Sequence, residues 1–117
     1  MITYGVDGRP KRIKQKDVSN AADTTIYTVT SDVDAFLDRL HVCNKTAGAV
    51  TFDCWIVDTY LYKGMSVAAN NVLVDKDMGF RLLGGETLKI RASAATSLDI
   101  TAVLVEISKN TPRGQNG

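Results

Sequence analysis

Residues 98–107 read Leu-Asp-Ile-Thr-Ala-Val-Leu-Val-Glu-Ile, ten residues with no glycine or proline. Leu98, Ile100, Ala102 and Leu104 alternate with Asp99, Thr101, Val103 and Val105, the two-residue period of a β-strand. The first set is apolar, yet Val103, Val105 and Ile107 make the opposite face apolar too. A strand apolar on both faces is central in a sandwich and covered outside, or it lies against a partner. Working back along the chain, Leu88, Ile90 and Ala92 alternate with Thr87, Lys89 and Arg91. Val50, Phe52, Cys54 and Ile56 make another inward set, opposed by Trp55 and Val57. Polar or glycine-rich turns separate these runs, and the spacing is that of a compact antiparallel sandwich.

Strands are predicted near 24–30, 35–44, 49–58, 60–63, 72–75, 79–83, 86–93 and 98–107. Gly84-Gly85, between Leu83 and Glu86, reads as a two-residue hairpin turn, because glycine supplies the positive φ such turns require. Asp32 to Leu40 admits a short helical turn capped by Asp32, or a strand from Leu37 onward; the strand is preferred. The fold class is all-β: a single antiparallel, jelly-roll-like sandwich of about eight strands over residues 21–107. Residues 1–20 read as an extended basic N-terminal arm, broken by Gly5, Gly8 and Pro10, and residues 108–117 as a short C-terminal tail.

The 117 residues suffice for one domain with one core. Aromatic residues make up 7%, too few for the stacking platforms of single-strand nucleic-acid binders. The net charge of +1 is unevenly placed. Residues 1–20 hold Arg9, Lys11, Arg12, Lys14 and Lys16 against Asp7 and Asp17, while residues 21–107 hold seven cations against eleven carboxylates, a net of −4. No apolar run approaches the roughly 20 residues of a membrane span. The opening residues lack a charged region followed by an apolar stretch, so synthesis in a reducing cytosol is expected, with Cys43 and Cys54 as small buried thiols.

Little here has the pattern of chemistry. His41 is the sole histidine, two residues from Cys43 on the same strand run. Strand neighbours at that spacing stand about 7 Å apart, too far for a thiol and its base. Asp32, Asp34, Asp38, Asp75 and Asp77 do not continue into a calcium loop with its central glycine and terminal glutamate. Gly84-Gly85-Glu86-Thr87 lacks the spacing of a phosphate loop. No catalytic residue, metal or cofactor is expected, and the chain reads as a non-enzyme.

The basic cluster Lys11-Arg12-Ile13-Lys14-Gln15-Lys16 admits a solvated arm, a nucleic-acid contact, or docking on an acidic neighbour, and the acidic body favours docking. The arm residues expected to bind a partner are Ile2, Tyr4 and Val6, with Ile13, as apolar anchors, and Arg9, Lys11, Arg12 and Lys14 as charged ones. A carbohydrate-binding alternative would need Trp55, Tyr60 and Tyr62 to form an exposed aromatic platform.

Thr25-Ile26-Tyr27-Thr28-Val29-Thr30, then His41-Val42-Cys43-Asn44-Lys45-Thr46 with Val50-Thr51-Phe52, resembles a pattern of small virion proteins of tailed bacteriophages. Leu83-Gly84-Gly85-Glu86-Thr87-Leu88-Lys89-Ile90-Arg91-Ala92-Ser93 and Ile100-Thr101-Ala102-Val103-Leu104-Val105-Glu106-Ile107 are similar to the closing segments of the same proteins. The resemblance spans about 24–107 and departs at Cys54-Trp55 and Tyr60-Leu61-Tyr62. It implies a non-enzymatic β-sandwich built into the particle, with the virion as its location. A capsid decoration or cement protein is the expectation, its partners the phage major capsid protein or other virion proteins, with homo-oligomers in the particle. A tail, neck or baseplate component is the alternative. Neither nucleic acid nor membrane is expected as a partner.

Overall fold

A computed structural model describes residues 8–108. Among these residues nine strands form two antiparallel sheets: β1 (Arg9–Gln15), β2 (Thr24–Thr28), β3 (Val33–Asn44), β4 (Val50–Ile56), β5 (Thr59–Val67), β6 (Val72–Asp75), β7 (Phe80–Leu82), β8 (Thr87–Ala92) and β9 (Leu98–Ser108). Sheet A runs β1-β9-β3-β6, with β7 also on β3; sheet B runs β2-β8-β4-β5. Because β9 pairs with β3 from Val33 to Asn44, β6 and β7 must share the other edge of β3. Nine strands thus fill eight positions, four per sheet, in the interleaved order of a jelly roll.

The break between β6 and β7 answers a bulge in β3. Pairing of β3 with β9 slips between Leu37 and Arg39, leaving Asp38 as the extra residue. The Asp38 carbonyl then accepts a hydrogen bond from Met78 N–H (3.0 Å), in the segment joining β6 to β7. The helical turn considered for 32–40 does not form: only Ser31 and Asp32 turn, and β3 begins at Val33. The reason lies in the alternation of Val33, Ala35 and Leu37, all buried against the core.

Gly84-Gly85 is a turn, but not a hairpin. It joins β7 in sheet A to β8 in sheet B. Glu86 N–H closes the turn on the Leu83 carbonyl (3.0 Å), with Gly85 at φ 91° and Gly84 outside the positive-φ region. Positive φ at the second central residue alone is the type II turn, which carries the chain across the sandwich instead of back along it.

The stretch expected as an arm is extended, and from Arg9 to Gln15 it is hydrogen-bonded into sheet A beside β9. Ile13, opposite Ala102, packs against the core, and Val18, whose N–H bonds the Leu98 carbonyl (2.9 Å), is fully buried. These two apolar side chains give the otherwise basic segment a reason to lie on the sandwich. Ile2, Tyr4 and Val6 lie outside the described residues.

The core lies between the sheets: Leu37, Leu40, Val42, Leu82, Leu98, Ile100 and Leu104 from sheet A meet Ile26, Phe52, Cys54, Tyr62, Leu88 and Ile90 from sheet B. Two tyrosines fasten its open sides. The Tyr27 hydroxyl on edge strand β2 donates to the Glu106 carboxylate on β9. On the opposite side, the Tyr62 hydroxyl on edge strand β5 donates to Asp75 on β6. Burial, with the Asp75 contact, pushes the Tyr62 phenol well above its usual value.

Candidate assembly interface

Paired residues on neighbouring strands share a face, so the registers specify what sheet A presents outward. One row runs Lys14–Thr101–His41–Val74 and the next Arg12–Val103–Arg39. A third runs Pro10–Val105–Phe36–Arg81, and a fourth joins Asp99, Cys43 and Val72. The face is therefore apolar at Val103 and Val105 of β9 and along β6, with cations on β1 and β3. Val72 and Val74 are 40% and 42% exposed. Arg12, Lys14 and Arg39 are exposed and form no ion pair among the described residues. Two of the carboxylates on this face, Asp34 and Asp99, are engaged by partners within the chain. Asp34 pairs with Arg81, and Asp99 accepts hydrogen bonds from Lys45 Nζ (3.0 Å) and Asp17 N–H (3.0 Å).

Alternation divides the basic cluster of the sequence. Lys11 and Ile13 share the inner side of β1, where Lys11 comes within 4.0 Å of Glu106 at the sandwich margin, and Arg9 stands opposite Glu106. Arg12 and Lys14 point the other way, onto the outer face. The structure thus brings Arg12 and Lys14 together with Arg39, Val72, Val74 and Val103. The second apolar face of residues 98–107 was the sequence signal for this surface; Arg39, Val72 and Val74 join it only through pairing with distant strands.

A second surface lies at the end of the sandwich where three connections meet. Val29 N–H bonds the Glu86 carbonyl (2.9 Å), Gly85 N–H bonds the Val29 carbonyl (2.7 Å), and Val57 N–H bonds the Thr87 carbonyl (3.2 Å). Residues 29–32, 57–58 and 83–86 are thereby contiguous. Val57 and Leu83 are 53% and 49% exposed there, beside Asp32, Asp58 and Glu86. None of these three carboxylates has a cation partner among the described residues.

The opposite end is closed by polar clamps. Asn44, fully buried, donates from Nδ2 to the carbonyls of Gly48 (2.9 Å), Val67 (3.0 Å) and Ala68 (3.2 Å). Its Oδ1 accepts from Thr46 N–H (2.9 Å) and Thr46 Oγ1 (2.7 Å). Lys45 binds both Asp17 and Asp99, which raises its own pKa. Desolvation alone would raise the Asp99 pKa; the Asp17 N–H and the Lys45 ammonium outweigh it and hold that carboxyl below its usual range.

The aromatic platform forms only in part. Trp55 and Tyr60 meet on the outer side of sheet B, ring centroids 5.7 Å apart, with Lys63 Nζ 4.7 Å from the Tyr60 ring centre. Tyr62 points inward and packs on Phe52 at 5.3 Å. His41 lies half-buried on the outer face of sheet A beside Cys43. Both cysteines are free thiols, and burial pushes the Cys54 thiol up to about 12, which makes it a poor nucleophile at neutral pH. Among the described residues, no group of three or more His, Cys, Asp or Glu side chains could hold a metal ion. No helix is long and apolar enough to cross a membrane among those residues.

No protein-family model matches the chain, and no curated protein matches its sequence. Solved structures do match its fold. One belongs to the Bacillus endospore appendages, described as a novel family of disulfide-linked pili: TM-score 0.52, 14% identity, covering 92% of this chain and 97% of that one. Another is from infectious bursal disease virus, Gx strain: TM-score 0.53, 11% identity, covering 91% of this chain and 35% of that one. The coat protein of tobacco streak virus aligns over 99% of this chain and 96% of its own, at 14% identity and TM-score 0.49. The likeness at these identities is one of fold.

Proposed function

We propose that this chain is a structural subunit of a virus particle and acts by binding its neighbours, not by catalysis. Its finer form is a decoration or cement protein of a tailed-phage capsid. The observation that carries the reading is the outer face of sheet A, where apolar side chains and three cations without ion-pair partners lie in consecutive cross-strand rows. Such a face suits an acidic, apolar partner surface, with charge setting registry and on-rate more than affinity. The jelly-roll order and the likeness to a viral protein support the same reading. Residues 1–7, with Ile2, Tyr4 and Val6, extend the contact as an arm onto the neighbour; Arg12 and Lys14 continue it on the outer face of β1, while Arg9, Lys11 and Ile13 tie the root of the arm to the sandwich.

The test is peptide mass spectrometry on purified particles, with immunogold labelling to place the protein. Finding it in stoichiometric amount on the head fits the cement role; finding it in the tail moves it to a tail, neck or baseplate part; its absence from particles ends the virion reading. Deleting residues 1–7 leaves every strand intact, so the shortened chain should fold and incorporate poorly. A second reading, the subunit of a self-polymerising appendage, is favoured by the near-complete mutual coverage with the pilus subunit. Negative-stain images of the purified protein separate the two: long filaments from the pure chain support the appendage.

A further inference from the structure

The chain carries two surfaces of opposite charge, each with exposed apolar side chains. The outer face of sheet A is basic and apolar: Arg12, Lys14 and Arg39 around Val72, Val74 and Val103. The loop end is acidic and apolar: Asp32, Asp58 and Glu86 around Val57 and Leu83. None of these six charged side chains forms an ion pair among the described residues.

We infer that the loop end of one copy docks on the outer face of sheet A of the next copy. The occupant follows from charge complementarity, since three carboxylates meet three cations and each set brings exposed apolar side chains that association would remove from water. The two patches are different surfaces of the same chain, so the contact is heterologous. Each docked copy still offers a free end and a free face, and the association propagates into a ring or an open row. This inference deepens the assembly role above by naming a second copy as the partner of the basic face.

Sedimentation velocity of the full chain over a concentration series, at about 0.05 M and about 0.5 M salt, reads the association directly. Self-association at low salt that weakens at high salt is expected. Two variants dissect it: Asp32→Lys with Asp58→Lys at the loop end, and Arg12→Glu with Arg39→Glu on the face. Each alone should associate at least about tenfold more weakly, because like charges then meet. An equimolar mixture of the two should recover association, since the end of each now fits the face of the other. Circular dichroism of each variant confirms folding, and recovery in the mixture is itself something a misfolded chain could not give.

A wild-type chain that stays monomeric at low salt overturns the contact, as does a mixture that associates no better than its components. Particle analysis is independent of this. A monomeric chain found in virions keeps the virion role and removes the self-contact; a self-associating chain absent from virions does the reverse.

Discussion

Replacing Asn44 by alanine should destabilise the fold by about 3 kcal/mol, within a range of about 2–4. The side chain is fully buried and holds three carbonyls, an N–H and a hydroxyl from the β3–β4 turn and the β5–β6 connection. Its two amide protons and one oxygen form bonds each worth about 0.5–1.5 kcal/mol net. Truncation also leaves the Val67 carbonyl, whose bond to Asn44 is buried, without that donor, at about 1–3 kcal/mol. The groups nearer the surface regain water, which keeps the total below the simple sum. For a domain of this size the corresponding fall in Tm is about 10–15 °C. Urea unfolding followed by Trp55 fluorescence and far-UV circular dichroism measures it, and the urea slope should not change. Asn44→Asp adds a check with a sign. Its carboxyl would face carbonyl oxygens in a buried site, so the folded pKa rises above the unfolded value of about 3.9. The acid form is then favoured by folding, and the extra loss relative to Asn44→Ala should grow as pH rises from about 4 toward neutrality. A loss below about 1 kcal/mol for Asn44→Ala, at an unchanged slope, would refute the clamp.

Three further outcomes are expected. Tyr62→Phe and Tyr27→Phe should each cost about 1–2 kcal/mol, with losses that add because the pairs lie on opposite sides of the sandwich; since the Tyr62 pKa is raised by folding, its stabilisation is full below pH 10.0 and lost above, and Tyr62→Phe should flatten the alkaline limb of a stability–pH curve. The Asp99 pKa is lowered by folding, so its contribution is present above 3.8 and lost as pH falls through the folded value; Asp99→Asn should shrink the acid limb of the same curve. Val57, a β-branched residue at φ 57° in the β4–β5 turn, is strained there; Val57→Gly should raise the urea midpoint by an amount equivalent to about 0.5–1 kcal/mol, and a lowered midpoint would contradict the strain.

Strand positions were legible because alternation and turn residues are local properties. The predicted 98–107 became Leu98–Ser108, and 72–75 was found as Val72–Asp75. Sheet membership was not legible at Gly84-Gly85, because a turn's sequence fixes its φ angles but not which sheet receives the next strand. The strand β1 was hidden by composition: at the sandwich margin Lys11 can take an inward-facing position while its ammonium stays near solvent and Glu106. Only Ile13 offered an apolar cue among its seven residues. The charges of the candidate interface were visible from the start. Their grouping was not, since Arg12, Arg39 and Val74 meet only when β9 lies between β1 and β3 and β6 takes the far edge.

The two tyrosine–carboxylate ties have a mechanical consequence. A sandwich joined along one margin can open like a book, and one joined only through its greasy interior can let its layers slip. Here Tyr27 holds Glu106 at one margin and Tyr62 holds Asp75 at the other, each tie crossing from one layer to the other. A load applied to one sheet is therefore passed to its partner along both margins at once, and the unit resists shear as a closed box does.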